Sequence, residues 1–147
     1  MDVCLKFSLP SHPRYLAVVR AAVGELSSVS GFAEDQCRAL VLAVDEALAN
    51  IIRHAYRSDF ERPVEVRCRV LPDRLEITLL DQGEPPDPAR ICAQPMDGFA
   101  LGGRGTHLMR MIMDEVVYET VPGHNQVRMI KRLPVAGLQG ERKENIT

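Results

Sequence analysis

No stretch of this chain approaches the ~18 consecutive apolar residues of a membrane-spanning helix. Its first residues, Met1-Asp2-Val3-Cys4-Leu5-Lys6, lack the basic segment and apolar run of a secretory leader. Positive charge is not in excess: the formal net charge is -2, so nothing pulls the chain as a whole toward nucleic acid or an anionic bilayer. There is no basic stripe and no His/Cys cluster, which leaves DNA-binding and metal-hydrolase readings without support. The four cysteines, Cys4, Cys37, Cys68 and Cys92, are widely scattered, with no Cys-x-x-Cys pair. That spacing fits neither a zinc site nor a small disulfide framework. The expectation is four reduced thiols, mostly core filler, in a cytoplasmic protein.

What is present is a chain of 147 residues, a length that suits one domain with a real core. Lys6-Phe7-Ser8-Leu9 reads as a first strand. Ser11 is placed to cap a helix that begins at Pro13 and carries Tyr15, Leu16, Val19, Ala22, Val23 and Leu26 at helical spacing. A second helix is expected from about Ala33 to Ala55. One stripe of it, Cys37, Leu40, Val41, Val44, Leu48 and Ile51, reads as core. The other, Ala39, Ala43, Glu46, Ala47, Asn50 and Arg53, is small except where it is polar, as if to leave room for something lying against the helix. Val64 to Val70 and Leu75 to Asp81 alternate with period two around a turn at Leu71-Pro72-Asp73-Arg74. Gly83 to Gly105 is Gly- and Pro-rich and reads as a long, lid-like connection. A short helix, Thr106 to Met113, and a hairpin of Val116–Thr120 with Gln126–Ile130 follow, and the tail, residues 136–147, is polar and expected to be flexible. The order β-α-α-β-β-lid-α-β-β, without repeats, predicts an α/β two-layer sandwich: a mostly antiparallel sheet with its helices on one face.

Three clusters carry chemistry. Glu46 and Asn50 are one turn apart on the second helix, about 5–6 Å at Cβ. An acid and an amide aimed the same way suggest a magnesium or phosphate site: the amide oxygen is a hard ligand, and the carboxylate can take a proton from an attacking hydroxyl. A solvated helix face is the plain alternative. Asp81-Gln82-Gly83 ends a strand, and parity places Asp81 on the face of Leu75, Ile77 and Leu79. A buried carboxylate needs a donor, such as the exocyclic amine of adenine, and Gly83 lets a base approach the backbone. A turn-capping Asp is the alternative. Gly102-Gly103-Arg104-Gly105 precedes a helix, where exposed N–H groups and the helix dipole suit phosphate and Arg104 can add a charged contact. It is not a Walker A loop, since no Gly-Lys-Ser/Thr follows. By itself a short Gly-rich loop carries little weight.

In this order the clusters resemble the Bergerat-fold (GHKL) ATPases, the superfamily of gyrase, MutL and histidine kinases. Asn50 matches the N box, Asp81 and Gly83 the first glycine box, Gly103 and Gly105 the second. The stretch Val44 to Tyr56, and Gly103-Arg104-Gly105 leading to Met113-Asp114-Glu115-Val116, look like the small anti-sigma-factor serine/threonine-protein kinases of bacteria. The likeness covers residues 3 to 133, and implies that residues 1–135 form a histidine-kinase-like ATPase domain.

The resemblance implies ATP and Mg²⁺ bound between helices and sheet. It makes Glu46 the general base on a protein hydroxyl, Asn50 the magnesium ligand, and Asp81 the reader of adenine. Gly83, Gly103, Arg104, Gly105 and Thr106 would complete the nucleotide site, with Asn125 lining the base pocket. Implied partners are a sigma factor, held silent, and a STAS-type anti-anti-sigma protein, phosphorylated and released; implied too are a homodimer and no direct contact with nucleic acid or membrane. Two departures stand out: Glu84-Pro85-Pro86 where many relatives carry a second glycine, and Thr106-His107 in place of an apolar or glycine pair. His54 is expected to be structural. Two further functions stay open: a nucleotide-gated binding module with little kinase activity, and a kinase of another partner-switching pathway.

Overall fold

The computed structural model describes residues 2–85 and 104–134. Five strands form one antiparallel sheet: β1 (Val3–Pro10), β2 (Pro63–Val70), β3 (Arg74–Asp81), β4 (Glu115–Val121) and β5 (His124–Arg132), in the order β1-β2-β3-β5-β4. Among the described residues three α-helices pack with it: α1 (Leu16–Ser30), α2 (Glu34–Asn50) and α3 (Arg104–Ile112). The expected two-layer sandwich is what forms. Most of the expected lid, residues 86–103, and the expected tail lie outside the described residues.

The sheet is two-faced because its strands alternate. Leu75, Ile77 and Leu79 of β3, Val64, Val66 and Cys68 of β2, and Val127 and Met129 of β5 join one core with Val19, Val23, Leu40, Val44, Leu48 and Met109 of the three helices. The three described α-helices therefore cover the same face. Cys68 is buried there, and burial pushes its thiol up to about 11, as befits core filler. No disulfide joins the described cysteines, Cys4, Cys37 and Cys68; Cys92 lies outside the described residues.

Local chemistry explains where the elements stop. α1 ends at Gly31, whose φ of 104° suits a residue without a β-carbon, and whose N–H reaches Ser28 O at 3.1 Å. The side chain of Gln36 accepts from the Ala33 N–H at 3.0 Å at the start of α2, with Glu34 and Asp35 in the dipole-favoured first turn.

Four details depart from the sequence reading. β1 starts at Val3 rather than Lys6, because β2 supplies partners as far as Val70. Ser11 does not cap the helix. It is buried and tied instead to the loop before β2, its Oγ donating to Asp59 O at 2.7 Å and its N–H to Arg62 O at 2.8 Å. His12 takes the cap, its Nδ1 accepting from the Arg14 N–H ahead of a 3₁₀ turn, Pro13–Tyr15. The second helix is not uniform: after Asn50 it widens into a π-helical turn, Ile51–Ala55, closed by Tyr56 N–H to Ile51 O at 2.9 Å. Finally, the small stripe of α2 is not open. Ala43 and Ala47 are core residues, and α2 packs against both α1 and α3. Small side chains here admit neighbouring helices, while Glu46 and Asn50 on the same stripe are half-buried.

Candidate functional site

The site begins where β3 ends. Parity carries Asp81 onto the helix-covered face, and register sets it directly opposite Asn125 of β5. Both are almost fully enclosed, 6% and 7% exposed. The Asn125 amide donates to Asp81 Oδ1 at 2.9 Å, and the Gly83 N–H donates to the same oxygen at 2.9 Å. The same amide nitrogen reaches Gly83 O at 2.9 Å and Glu84 O at 3.2 Å. Burial pushes the Asp81 carboxyl above its usual range; the hydrogen bonds from Asn125 and Gly83, and the charges of Arg62 and His124, pull the other way. Enclosing a carboxylate is costly unless donors meet it, so this strand end is built around an acceptor.

The end of α2 lies against the same strand end. The Glu84 N–H donates to Ala55 O at 3.0 Å, at the close of the π-helical turn. Tyr56, the next residue, accepts from the Gln82 N–H at 2.8 Å and donates to Pro63 O. Burial first, and then the Asp81 charge, raise the Tyr56 phenol above its ordinary value, against the Gln82 N–H and Arg62, so the hydroxyl stays protonated at neutral pH. Arg62 stacks over the Tyr56 ring at 4.6 Å and donates to Gln82 O at 2.8 Å. Arg57 pairs with Glu84 at 2.8 Å. π-helical turns frequently mark functional sites, and this one brings the helix bearing Glu46 and Asn50 against the strand bearing Asp81.

The expected site residues are thus distributed over four elements. Glu46 and Asn50 stand one turn apart near the end of α2, Asn50 as its last residue. Asp81, Gly83 and Asn125 are in contact. Arg104, Gly105 and Thr106 fall in the first turn of α3, which starts two residues earlier than expected and packs on α2. Gly103 lies outside the described residues. Among the described residues no group of three or more His, Cys, Asp or Glu side chains could hold a metal ion. Magnesium needs no such cage when it keeps waters and phosphate oxygens as ligands.

Sequence reasoning missed Tyr56, Arg62 and the Ala55 carbonyl, which brace the strand end. Tyr56 was readable: it is one of only three tyrosines and directly follows the acid/amide helix. Arg62 and a backbone carbonyl leave no such mark.

Comparison with known proteins agrees with the fold. Residues 9–131 match the family model described as the histidine kinase-like ATPase domain. The serine-protein kinase RsbW of Bacillus velezensis is 32% identical, over 81% of this chain and 79% of that protein. RsbW of Bacillus subtilis is 30% identical, over 97% of this chain and 91% of that protein. Among solved structures, the RsbU and RsbW domains of a Mycobacterium tuberculosis protein superpose with a TM-score of 0.64 at 16% identity. That match covers 89% of this chain, which spans about a third (32%) of the other. The histidine kinase domain of a blue-light activated kinase from Erythrobacter litoralis gives 0.55 at 19% identity, over 85% of this chain and 62% of that one. These two structures bear on the fold alone. The family match spans most of the chain, and the chain belongs to the histidine kinase-like ATPase domain family, alongside the RsbW serine-protein kinases.

Proposed function

We propose that the protein is a cytoplasmic anti-sigma factor and protein serine/threonine kinase: it holds a sigma factor inactive and phosphorylates a STAS-type anti-anti-sigma protein. The observation that carries this reading is the enclosed Asp81 carboxylate, held by Asn125 and Gly83 against the end of the helix that bears Glu46 and Asn50. Asp81 accepts a hydrogen bond from the adenine amine. The first turn of α3, with Arg104, Gly105 and Thr106, binds the phosphates beside Gly103. Asn50 holds Mg²⁺ through its amide oxygen. Bound there, ATP·Mg²⁺ supplies the transferable phosphoryl group. Glu46 takes the proton from the attacking serine or threonine hydroxyl and orients that oxygen; general-base help of this kind is worth about 10²–10⁴-fold. The presence of an acid at Glu46 favours a kinase over a pure nucleotide-gated binder, which has no use for a base there. A homodimer is part of the proposal.

The test is direct. The purified protein is mixed with radiolabelled ATP, Mg²⁺ and the STAS-domain proteins of its own bacterium, and separately with its sigma factors in ATP or ADP. Label on a STAS-protein serine or threonine, together with sigma-factor binding that depends on the nucleotide, supports the reading. A STAS protein that stays unlabelled while the sigma factor binds favours the binding-module alternative.

A further inference from the structure

We infer that Asn125 is a positioning residue that decides which purine the site accepts, by holding Asp81 as a fixed hydrogen-bond acceptor. The inference rests on the reading of Asp81 as the purine-recognising group.

The orientation of the Asn125 amide follows from its neighbours. Its nitrogen faces Asp81 Oδ1, Gly83 O and Glu84 O, at 2.9, 2.9 and 3.2 Å. An ionised carboxylate and two carbonyls are acceptors that cannot donate. Turning the amide over would set its oxygen against all three. Asp81 Oδ1 receives a second donor, the Gly83 N–H at 2.9 Å, so the carboxylate cannot rotate without losing both bonds. The pair sits at a register position on the two neighbouring strands β3 and β5, not on a loop.

A carboxylate held in this way offers a ligand acceptors only. The 6-amino group of adenine is its complement. The 6-oxo group of guanine meets it acceptor to acceptor, and a buried polar group left unpaired makes for strong discrimination. That discrimination lasts only while Asp81 is ionised, since a protonated carboxyl can donate to a 6-oxo group. Among the described residues, Arg62, His124 and Tyr56 are the titratable and charged groups whose influence reaches Asp81. Arg62 and His124 favour its anion, and the Tyr56 phenol next to it stays neutral. Among the described residues, the Asn125 and Gly83 N–H groups donate to it directly, against burial.

The experiment is calorimetric titration of ATP and of GTP, each with Mg²⁺, into wild type, Asn125→Leu, Asn125→Asp and Asp81→Asn. Asn125→Leu keeps the bulk and removes the donor; the ATP-to-GTP affinity ratio should fall roughly 10-fold or more, the value of one hydrogen bond to a charged group. Asn125→Asp places two carboxylates in contact, and such a pair shares one proton. While the pair keeps its shared proton, that proton acts as the donor and ATP binds nearly as in wild type; as rising pH removes it, both groups ionise and affinity drops about 10-fold or more. Wild type, with a neutral amide at position 125, lacks that shared proton and the step that follows its loss. Recovery on returning to the lower pH separates the effect from unfolding, and a residue that merely supports the fold would produce neither the changed ratio nor the pH step. An unchanged ratio in Asn125→Leu with a flat profile in Asn125→Asp, while Asp81→Asn loses ATP, overturns the inference and leaves the site reading standing. Wild-type ATP affinity in Asp81→Asn overturns the site reading and the inference with it.

Discussion

Gly83 packs so closely on Ala55 that a β-carbon added to it would lie 2.4 Å from the Ala55 carbonyl oxygen and 2.6 Å from its carbon. That contact joins the end of β3 to the end of the acid/amide helix, and a backbone carbonyl has no flexible end to swing away. The glycine of Asp81-Gln82-Gly83 therefore serves the protein's own packing as well as any base that approaches the backbone. Gly83→Ala is expected to lose about 1–3 kcal/mol of stability, the usual cost of overpacking. ATP affinity should fall with it, because the Glu84 N–H bond to Ala55 O opens and Asp81 moves. Urea denaturation and calorimetric titration of the variant check both.

Asp81→Asn keeps the shape of the side chain and an acceptor for the Asn125 amide, so the fold should persist. What changes is the charge offered to adenine. A hydrogen bond to a charged group is worth roughly 1.5–3 kcal/mol, so ATP affinity should fall by about 10- to 150-fold. Calorimetry with ATP·Mg²⁺ measures it, and wild-type affinity would remove Asp81 as the purine acceptor.

The same substitution has an opposite effect on the nucleotide-free protein. Burial raises the Asp81 carboxyl pKa in the folded state, so the folded protein holds this proton more tightly than the unfolded chain does. Its contribution to stability is complete below the unfolded value, about 3.9, and is lost as pH rises through the raised folded value. At neutral pH the ionised, enclosed carboxylate is a net cost that Asp81→Asn removes. The variant is expected to melt at a higher temperature than wild type near neutrality, with the gap narrowing as pH is lowered through the carboxylate range. Melting curves of both proteins across that range, without nucleotide, report it. Equal or lower melting temperature at neutral pH would mean that the donors around Asp81 fully offset its burial.

Much of this architecture was legible because it depends on period. Leu75, Ile77, Leu79 and Asp81 share parity, so the burial of Asp81 could be read before any partner was known. What sequence does not carry is register between distant segments. Asp81 and Asn125 are 44 residues apart, and only the pairing of β3 with β5 makes them neighbours. The early start of β1 has the same origin: an exposed edge strand takes its length from β2, not from its own apolar residues. Periodicity alone does not say what lies against the small residues of α2; Ala43 and Ala47 admit neighbouring helices. The π-helical turn after Asn50 follows a run, Ile51-Ile52-Arg53-His54-Ala55, with no glycine or proline to announce it.

Glu46→Gln separates binding from chemistry. Glutamine is isosteric, is an equally good helix former, and cannot take up a proton. Glu46 is half-buried near the end of α2, so little packing changes. ATP affinity should stay within a few-fold of wild type, while single-turnover phosphorylation of the STAS protein falls by about 10²–10⁴. An unchanged transfer rate would remove Glu46 as the base and leave Asn50 as the functional member of the pair.

Asn50→Ala tests that second member. Asn50 closes α2 immediately before the π-helical turn, and its side chain makes no capping bond there. Alanine is the better helix former by a few tenths of a kcal/mol, so the fold should not suffer. Magnesium prefers oxygen ligands and dehydrates reluctantly, so a single amide oxygen adds orientation more than raw affinity. The variant should therefore bind ATP without metal as wild type does, and lose most of the gain in affinity that Mg²⁺ confers. Paired titrations with Mg²⁺ and with a chelator isolate that gain. A variant in which the two titrations differ as much as in wild type would show that the metal is held by phosphate oxygens and water without Asn50.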